Sequence, residues 1–177
     1  MKSFEIVADG WLGTNVVVEP ELGLYSVRDF MGEEGHILGI QLYFRDEDGE
    51  RKPFSTLTVS FGEFIGLKDS AYIDTNNNPF AAQLLTMGFC QDTGFTKHSG
   101  FCIYPLWKFD EDFLKEIDVH GVYDTYEKKF NELMGIEQEP TEIEDDFRPL
   151  DETIAMAEEQ KGENVAQSGV SKEVERD

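Results

Sequence analysis

The densest set of side chains able to do chemistry is Asp74, Asn76, Asn77 and Asn78, in the string Tyr72-Ile73-Asp74-Thr75-Asn76-Asn77-Asn78-Pro79. Asp92, in Asp92-Thr93-Gly94, and His98, in Thr96-Lys97-His98-Ser99-Gly100, follow it. Two carboxylates, three amides and an imidazole on neighbouring loops would form a polar pocket, or an acid–base site around Asp74, Asp92 and His98. The same residue types before a proline are also turn and cap formers that bond their own backbone, and that local reading accounts for each of them.

Other chemistries find no support. Cys90, His98, Cys102 and His120 are the soft ligand types, but their separations match no C-x2-C or H-x3-H pairing, so neither a metal nor a cofactor is expected. Two cysteines are too few for a disulfide framework and read as buried, reduced thiols. Ser99 lacks the G-x-S-x-G setting of a nucleophile elbow, and Cys90 has no basic neighbour to lower its pKa. There is no glycine-rich phosphate loop. The acidic run from Asp46 to Glu50 resembles a calcium loop until the twelfth position, which is Leu57 rather than a glutamate. No catalytic residue is assigned.

Charge is the remaining candidate. The chain has 37 Asp and Glu against 15 Lys and Arg, a net −22. Such a charge repels phosphates and anionic lipid, so neither direct nucleic-acid nor membrane binding is expected, and a basic protein surface is the expected partner. Residues two apart on a strand are separated by about 6.6 Å and helix neighbours at i and i+4 by about 6 Å, close to the step between backbone phosphates. Acids at those spacings can imitate a nucleic acid. The candidates are Asp110, Glu111, Asp112, Glu116, Asp118, Asp124 and Glu127, with Glu132 beyond them and Lys115, Lys128 and Lys129 among them. Asp46, Glu47 and Asp48, with Glu50, form a second knot, diluted by Arg45, Arg51 and Lys52. The plainer reading of all these acids is a solvated surface.

The elements that must position these residues divide at Gly135. Of 22 aromatic residues only Phe147 lies beyond it, so a globular domain is expected over 1–136 and a largely disordered acidic tail over 137–177. At best a transient helix forms over 150–161. Leu38, Ile40, Leu42 and Phe44 share one parity, and Leu57, Val59 and Phe61 another, giving two half-buried strands with a hairpin turn at Asp48-Gly49. Phe4 to Ala8, Thr14 to Val18 and Leu22 to Val27 read as further short strands, separated by glycines and Pro20. Asn78 and Pro79 open a short helix stopped by Gly88. A strand then covers Phe101 to Trp107, ending near Pro105. Asp110 caps a helix to Ile117, and Tyr123, Tyr126, Phe130, Leu133 and Met134 form an apolar stripe closed by Gly135. The fold class expected is α+β, an antiparallel β-meander sheet of four or five strands with helices packed on one face. No apolar run approaches the roughly 20 residues of a membrane span, and Met1 to Gly10 lacks a leader's basic start and apolar core, so a cytoplasmic protein is expected.

Ser60-Phe61-Gly62, Ala71-Tyr72-Ile73-Asp74-Thr75-Asn76-Asn77, Asp92-Thr93-Gly94 and Ser99-Gly100-Phe101-Cys102-Ile103-Tyr104-Pro105-Leu106-Trp107-Lys108-Phe109-Asp110 resemble an uncharacterised domain family encoded on conjugative and integrative elements of Gram-positive bacteria. The similarity covers about Leu38 to Ile117 and carries no catalytic residue with it. What it implies is genomic company. Acidic proteins of such elements disarm host restriction enzymes and CRISPR effectors by occupying surfaces meant for nucleic acid, so the resemblance implies a non-enzymatic anti-defence inhibitor bound to a nucleic-acid enzyme of the host. An adaptor or regulator of conjugation or replication, using the Asp74 to Asn78 loop as a peptide pocket, is the alternative.

Overall fold

Alternation along the chain builds two antiparallel sheets. The structure, a computed structural model, describes residues 2–8 and 15–136. Strands β1 (Phe4–Val7), β2 (Asn15–Arg28), β3 (Glu34–Arg45) and β4 (Arg51–Thr56) pair in that order as a meander. Leu38, Ile40 and Leu42 of β3 are buried, while Gln41 and Tyr43, of the opposite parity, reach the other face. The turn at Asp48-Gly49 is where it was expected, but it joins β3 to β4, which lies inside the segment expected to be connection, and not to a strand over Leu57 to Phe61. Gly49 takes a φ of 80°, and the Asp46 carboxylate accepts the N–H groups of Asp48 and Glu50, both at 2.9 Å.

A second sheet, of order β5-β6-β8-β7, corrects the expectation of one. It contains β5 (Thr58–Val59), β6 (Ser70–Ile73), β7 (Cys90–Ser99) and β8 (Cys102–Phe109). The run of Leu57, Val59 and Phe61 therefore does not extend the meander. Leu57 is where the chain changes sheets: its N–H donates to Ile40 at 2.9 Å, and its carbonyl accepts from Asp74 at 2.9 Å.

Neither Pro20 nor Pro105 ends its strand. β2 is one strand through Pro20, not two short ones. Leu22, two residues on and therefore facing the same way, donates its N–H to Ile117 rather than to β3, so the N–H missing at Pro20 faces away from β3 and past the last β1 pair. β8 likewise runs through Pro105, one residue beyond the last β6 partner, Leu106.

A 3-10 turn (Pro79–Ala81) leads into α1 (Ala82–Thr86), and Gly88 stops it with a φ of 82°. Helix α2 (Glu111–Glu116) starts as expected, with the Asp110 carboxylate accepting Phe113 N–H at 3.0 Å. Helix α3 (Tyr123–Met134) buries Tyr123, Tyr126 and Phe130 and ends at left-handed Gly135. The stripe stops short of Met134, which is 45% exposed, because the helix there has reached the end of β3 and packs Leu133 against Gly35. Side chains from both sheets and all three helices join one core that includes Ile40, Ile73, Leu84, Leu114 and Tyr126. Among the described residues no helix is long and apolar enough to cross a membrane. The acidic tail expected over 137–177, and the helix within it, lie outside the described residues.

Candidate functional site

The polar residues singled out in the sequence are separated by the fold. Asp74 folds back on its own turn, accepting the Asn77 N–H at 3.1 Å and the Asn77 amide at 2.7 Å. Asn78 does not cap the following helix. Its carboxamide is fully buried, donating to the carbonyls of Thr56 at 3.0 Å and Asp74 at 2.8 Å and accepting from the Ser55 hydroxyl, and so ties β4 to the β6 turn. Asn76 reaches Ile103 at 3.4 Å.

His98 is on β7 opposite Ile103, not in a polar turn, and Ser99 follows it in the same strand. Asp92 sits at the far end of β7, opposite Trp107, its carboxylate accepting Gly94 N–H inside a bulge. Ile103 and Trp107 are four residues apart on β8, about 13 Å. Asn76 and His98 both neighbour Ile103, Asn76 from the β6 side of β8 and His98 from β7 on its other side, while Asp92 stays away, and Asp74, Asp92 and His98 form no common site. The loop offered as a peptide pocket has its polar groups engaged within the fold.

Cys90 and Cys102 lie at opposite ends of the β7–β8 hairpin, against Phe109 and Ser99, about 23 Å apart along it. Burial, then the Asp92 charge, pushes the Cys90 thiol up to about 12, while Cys102 is only partly buried, contrary to the expected pair of buried thiols. His120 lies elsewhere, 3.0 Å from Glu21. Among the described residues no three His, Cys, Asp or Glu side chains are grouped to hold a metal ion.

The acids divide by their local tasks. Asp110 caps α2, Asp118 caps α3 by accepting the N–H groups of Val122 and Tyr123 at 2.8 Å, and Asp46 closes its turn and pairs with Lys52 at 3.2 Å. Glu111 pairs with Lys115 at 2.6 Å, Glu116 with Lys2 at 3.3 Å, Glu127 with Lys68 at 2.5 Å and Glu132 with Lys129 at 3.0 Å. Hydrogen bonding to Lys115 holds the Glu111 carboxyl below its usual value. Glu47, Asp48, Asp112 and Asp124 are exposed, with no base within 4.0 Å among the described residues.

Three features were not seen in the sequence. On the solvent face of the meander, Arg51 bridges Glu19 at 2.8 Å and Glu21 at 2.6 Å, with its guanidinium 3.9 Å from the centre of the Tyr43 ring. The residues share one strand face, a parity signal that was present but masked by the charged turn beside it.

The second is Asp69, the one described residue other than glycine with a left-handed φ, 65°. It is buried, and its carboxylate accepts the Tyr123 hydroxyl at 2.8 Å. Burial chiefly raises its pKa.

The third is an apolar groove. Two adjoining cavities of about 270 and 500 Å³ share Glu63, Phe64 and Gly66. Around them stand Phe30, 95% exposed, Phe95, 65% exposed, and Met134. The signal for it was the pair Phe30-Met31 inside an otherwise polar turn, Asp29 to Glu34.

The result is a two-sheet α+β domain with an apolar groove and an excess of acidic side chains, in which Asp74, Asp92 and His98 are not brought together. The chain belongs to the family described as Domain of unknown function (DUF4313), which matches residues 25–130. No curated protein and no solved structure matches it.

Proposed function

We propose that this chain is a non-enzymatic accessory protein of a mobile element that occupies a basic surface of a host nucleic-acid enzyme, standing in for a nucleic-acid backbone and so disarming a defence nuclease in the cytoplasm. One observation carries the reading. Of the eleven Lys and Arg in the described residues, eight already lie within 4.0 Å of a carboxylate, whereas thirteen of the twenty-two acids there have no base that near.

The bases are held at fixed places, so the acid excess is left to face solvent at Glu47, Asp48, Asp112 and Asp124. Surface ion pairs do not remove this excess; they localise it. A net charge of −22 speeds encounter with a cationic groove and makes the complex sensitive to salt. The resemblance in the Tyr-Ile-Asp-Thr-Asn-Asn and Tyr-Pro-Leu-Trp strings supports the mobile-element setting.

The test is capture from host lysate on the immobilised full chain, at low and high salt, with duplex DNA as competitor and mass spectrometry as readout. The expected result is a nucleic-acid enzyme that salt releases and DNA displaces. Capture indifferent to both overturns the reading.

A further inference from the structure

We infer that the apolar groove beside residues 61–67 is the anchoring half of that interface, and that its occupant is a basic segment of a partner protein carrying apolar side chains along one face. The inference rests on the reading above, which supplies the basic partner.

The groove is presented rather than merely left uncovered. Phe30 protrudes from a turn that Asp29 ties down four ways: its N–H donates to Glu33 O at 2.9 Å, its carbonyl accepts Gly32 N–H at 3.0 Å, and its carboxylate accepts Met31 N–H at 2.9 Å and Glu33 N–H at 2.8 Å. A bare phenylalanine on a rigid turn loses little freedom when it binds. The floor is equally fixed. Phe64 packs on Phe130 with ring centres 5.6 Å apart, and the chain at Gly35 approaches Leu133 so closely that a Cβ there would lie 2.5 Å from it. Met31, 72% exposed, and Met134 give the rim adaptable apolar surface. Exposed Phe and Met gathered around a cavity are the composition of an interface core.

Charge selects the occupant. Glu33 and Glu34 are exposed on the Phe30 turn with no base within 4.0 Å among the described residues, and Glu63 lies between the two cavities, held by Lys97. Arg28 is directed onto the carbonyl of Gly32 at 2.9 Å, and Lys129, which also interacts with Glu33 and Glu34, is hydrogen-bonded to Glu132 at 3.0 Å. A second copy brings another −22, and residues 137–177 carry a net −10, so both meet repulsion here. Anionic lipid and nucleic acid are disfavoured for the same reason. A cationic amphipathic segment gains from both the cavities and the rim.

The test uses NMR spectra of the full chain titrated with a short lysine- and leucine-built amphipathic peptide, its scrambled isomer and its glutamate-for-lysine analogue. Saturable shifts at Phe30, Phe64, Phe95 and Met134 are expected, with the scrambled peptide about tenfold weaker or worse and the glutamate analogue silent. Phe30→Ser and Phe95→Ser should each weaken binding about tenfold, with the thermal midpoint unchanged because both rings are exposed. If the two basic peptides bind alike and shift Asp112 and Asp124 instead, the groove proposal falls and the acidic-surface reading stands. If neither binds, both fall. A concentration-dependent dimer abolished by Phe30→Ser, or groove shifts on removing residues 137–177, would assign the groove to the chain itself and overturn the proposed occupant.

Discussion

The Tyr123 hydroxyl donates to the Asp69 carboxylate at 2.8 Å, locking the first turn of α3 to the start of β6. The same aspartate donates its N–H to the Tyr126 hydroxyl at 2.8 Å, and its carbonyl accepts Phe109 N–H at 2.7 Å. One strained residue therefore binds helix α3 and strand β8 through three separate groups.

Asp69 makes a signed prediction about pH. Burial raises its folded pKa above the ordinary 3.8, against opposing pulls from the Tyr123 hydroxyl, Lys68 and Lys108. A carboxyl raised in this way favours the folded state fully below the ordinary value, and that contribution falls as pH rises through the folded one. Asp69→Asn keeps an acceptor for Tyr123, tolerates left-handed φ and carries no charge to desolvate. The variant should be at least as stable as the parent at neutral pH and should lose the decline in stability above pH 3.8, measured by urea unfolding across pH. An unchanged pH profile would refute the assignment.

Gly35 sets how closely α3 lies on β3. A Cβ there would fall 2.5 Å from Leu133 Cδ1 and 3.3 Å from Phe64 Cδ1. Gly35→Ala should cost about 1–3 kcal/mol by overpacking, and most of that cost should vanish in a Leu133→Ala background, because the clash and its partner are removed together. A double-mutant cycle in denaturant checks it; additive costs would show that the two residues do not share the contact.

Asn78 separates the inward hub from the helix cap. Asn78→Ala leaves the Thr56 and Asp74 carbonyls without their donor inside the core and should cost about 2–4 kcal/mol. Losing a cap alone typically costs about 1 kcal/mol. Asn78→Asp should be worse than Asn78→Ser at neutral pH, since a carboxylate would face two carbonyl oxygens. Equal, small losses in all three variants would return Asn78 to a surface cap.

The difference between cap and hub illustrates what was legible. Period-two alternation exposed β3, and Asp110 and Gly135 marked their helix ends, because these signals are local and the structure uses them locally. β7 was missed because it is an edge strand with only Cys90 fully buried, so no alternation from Thr93 to Ser99 records its pairing with β8. The second sheet is not legible because the switch is made by backbone bonds of Leu57 to Ile40 and Asp74 and by the Thr58 hydroxyl, which accepts Ile40 N–H at 3.0 Å, and a lone threonine in a strand pattern does not announce that role. The acids were legible as an excess but not by role: the sequence cannot distinguish Asp118, which caps α3, from Asp124, which faces water. Phe30 was legible in principle, as an apolar residue in a polar turn, but its meaning depends on cavities assembled from residues about thirty and a hundred positions away.

Arg51 makes the second pH prediction, of opposite sign to that of Asp69. Hydrogen bonds from Arg51, then from Arg45, hold the Glu19 carboxyl below its ordinary 4.5. That stabilisation is full above 4.5 and is lost as pH falls through the lowered folded value. Arg51→Met leaves Glu19 and Glu21, largely buried in the strand face, without their clamp and should cost about 1–3 kcal/mol at neutral pH, shrinking as acid protonates them. Arg51→Lys should recover only part of it, since an ammonium reaches one carboxylate at a time and stacks poorly on Tyr43. A cost independent of pH would place the loss in packing alone.

Charge reversal of the acidic surface distinguishes stability from function only if the acids are chosen by their partners. Asp112 and Asp124 are exposed with no base within 4.0 Å among the described residues, but each stands in the first turn of its helix, so Asp112→Lys with Asp124→Lys should cost about 0.5 kcal/mol each through the helix N-terminus while slowing association with a cationic partner and flattening its salt dependence. Glu127→Lys sets an ammonium against Lys68, which burial and the Glu127 carboxylate now balance, and should cost about 1 kcal/mol of stability before any binding is considered. Reversal of Glu111 or Glu116 carries the same confusion, because each stands against a lysine of its own fold. Stopped-flow association with the captured nucleic-acid enzyme, alongside thermal melts, separates the two effects. If the Asp112 and Asp124 reversals leave the association rate and its salt slope untouched, the acids of α2 and α3 do not steer binding, and the attraction must come from the Glu33 and Glu34 rim.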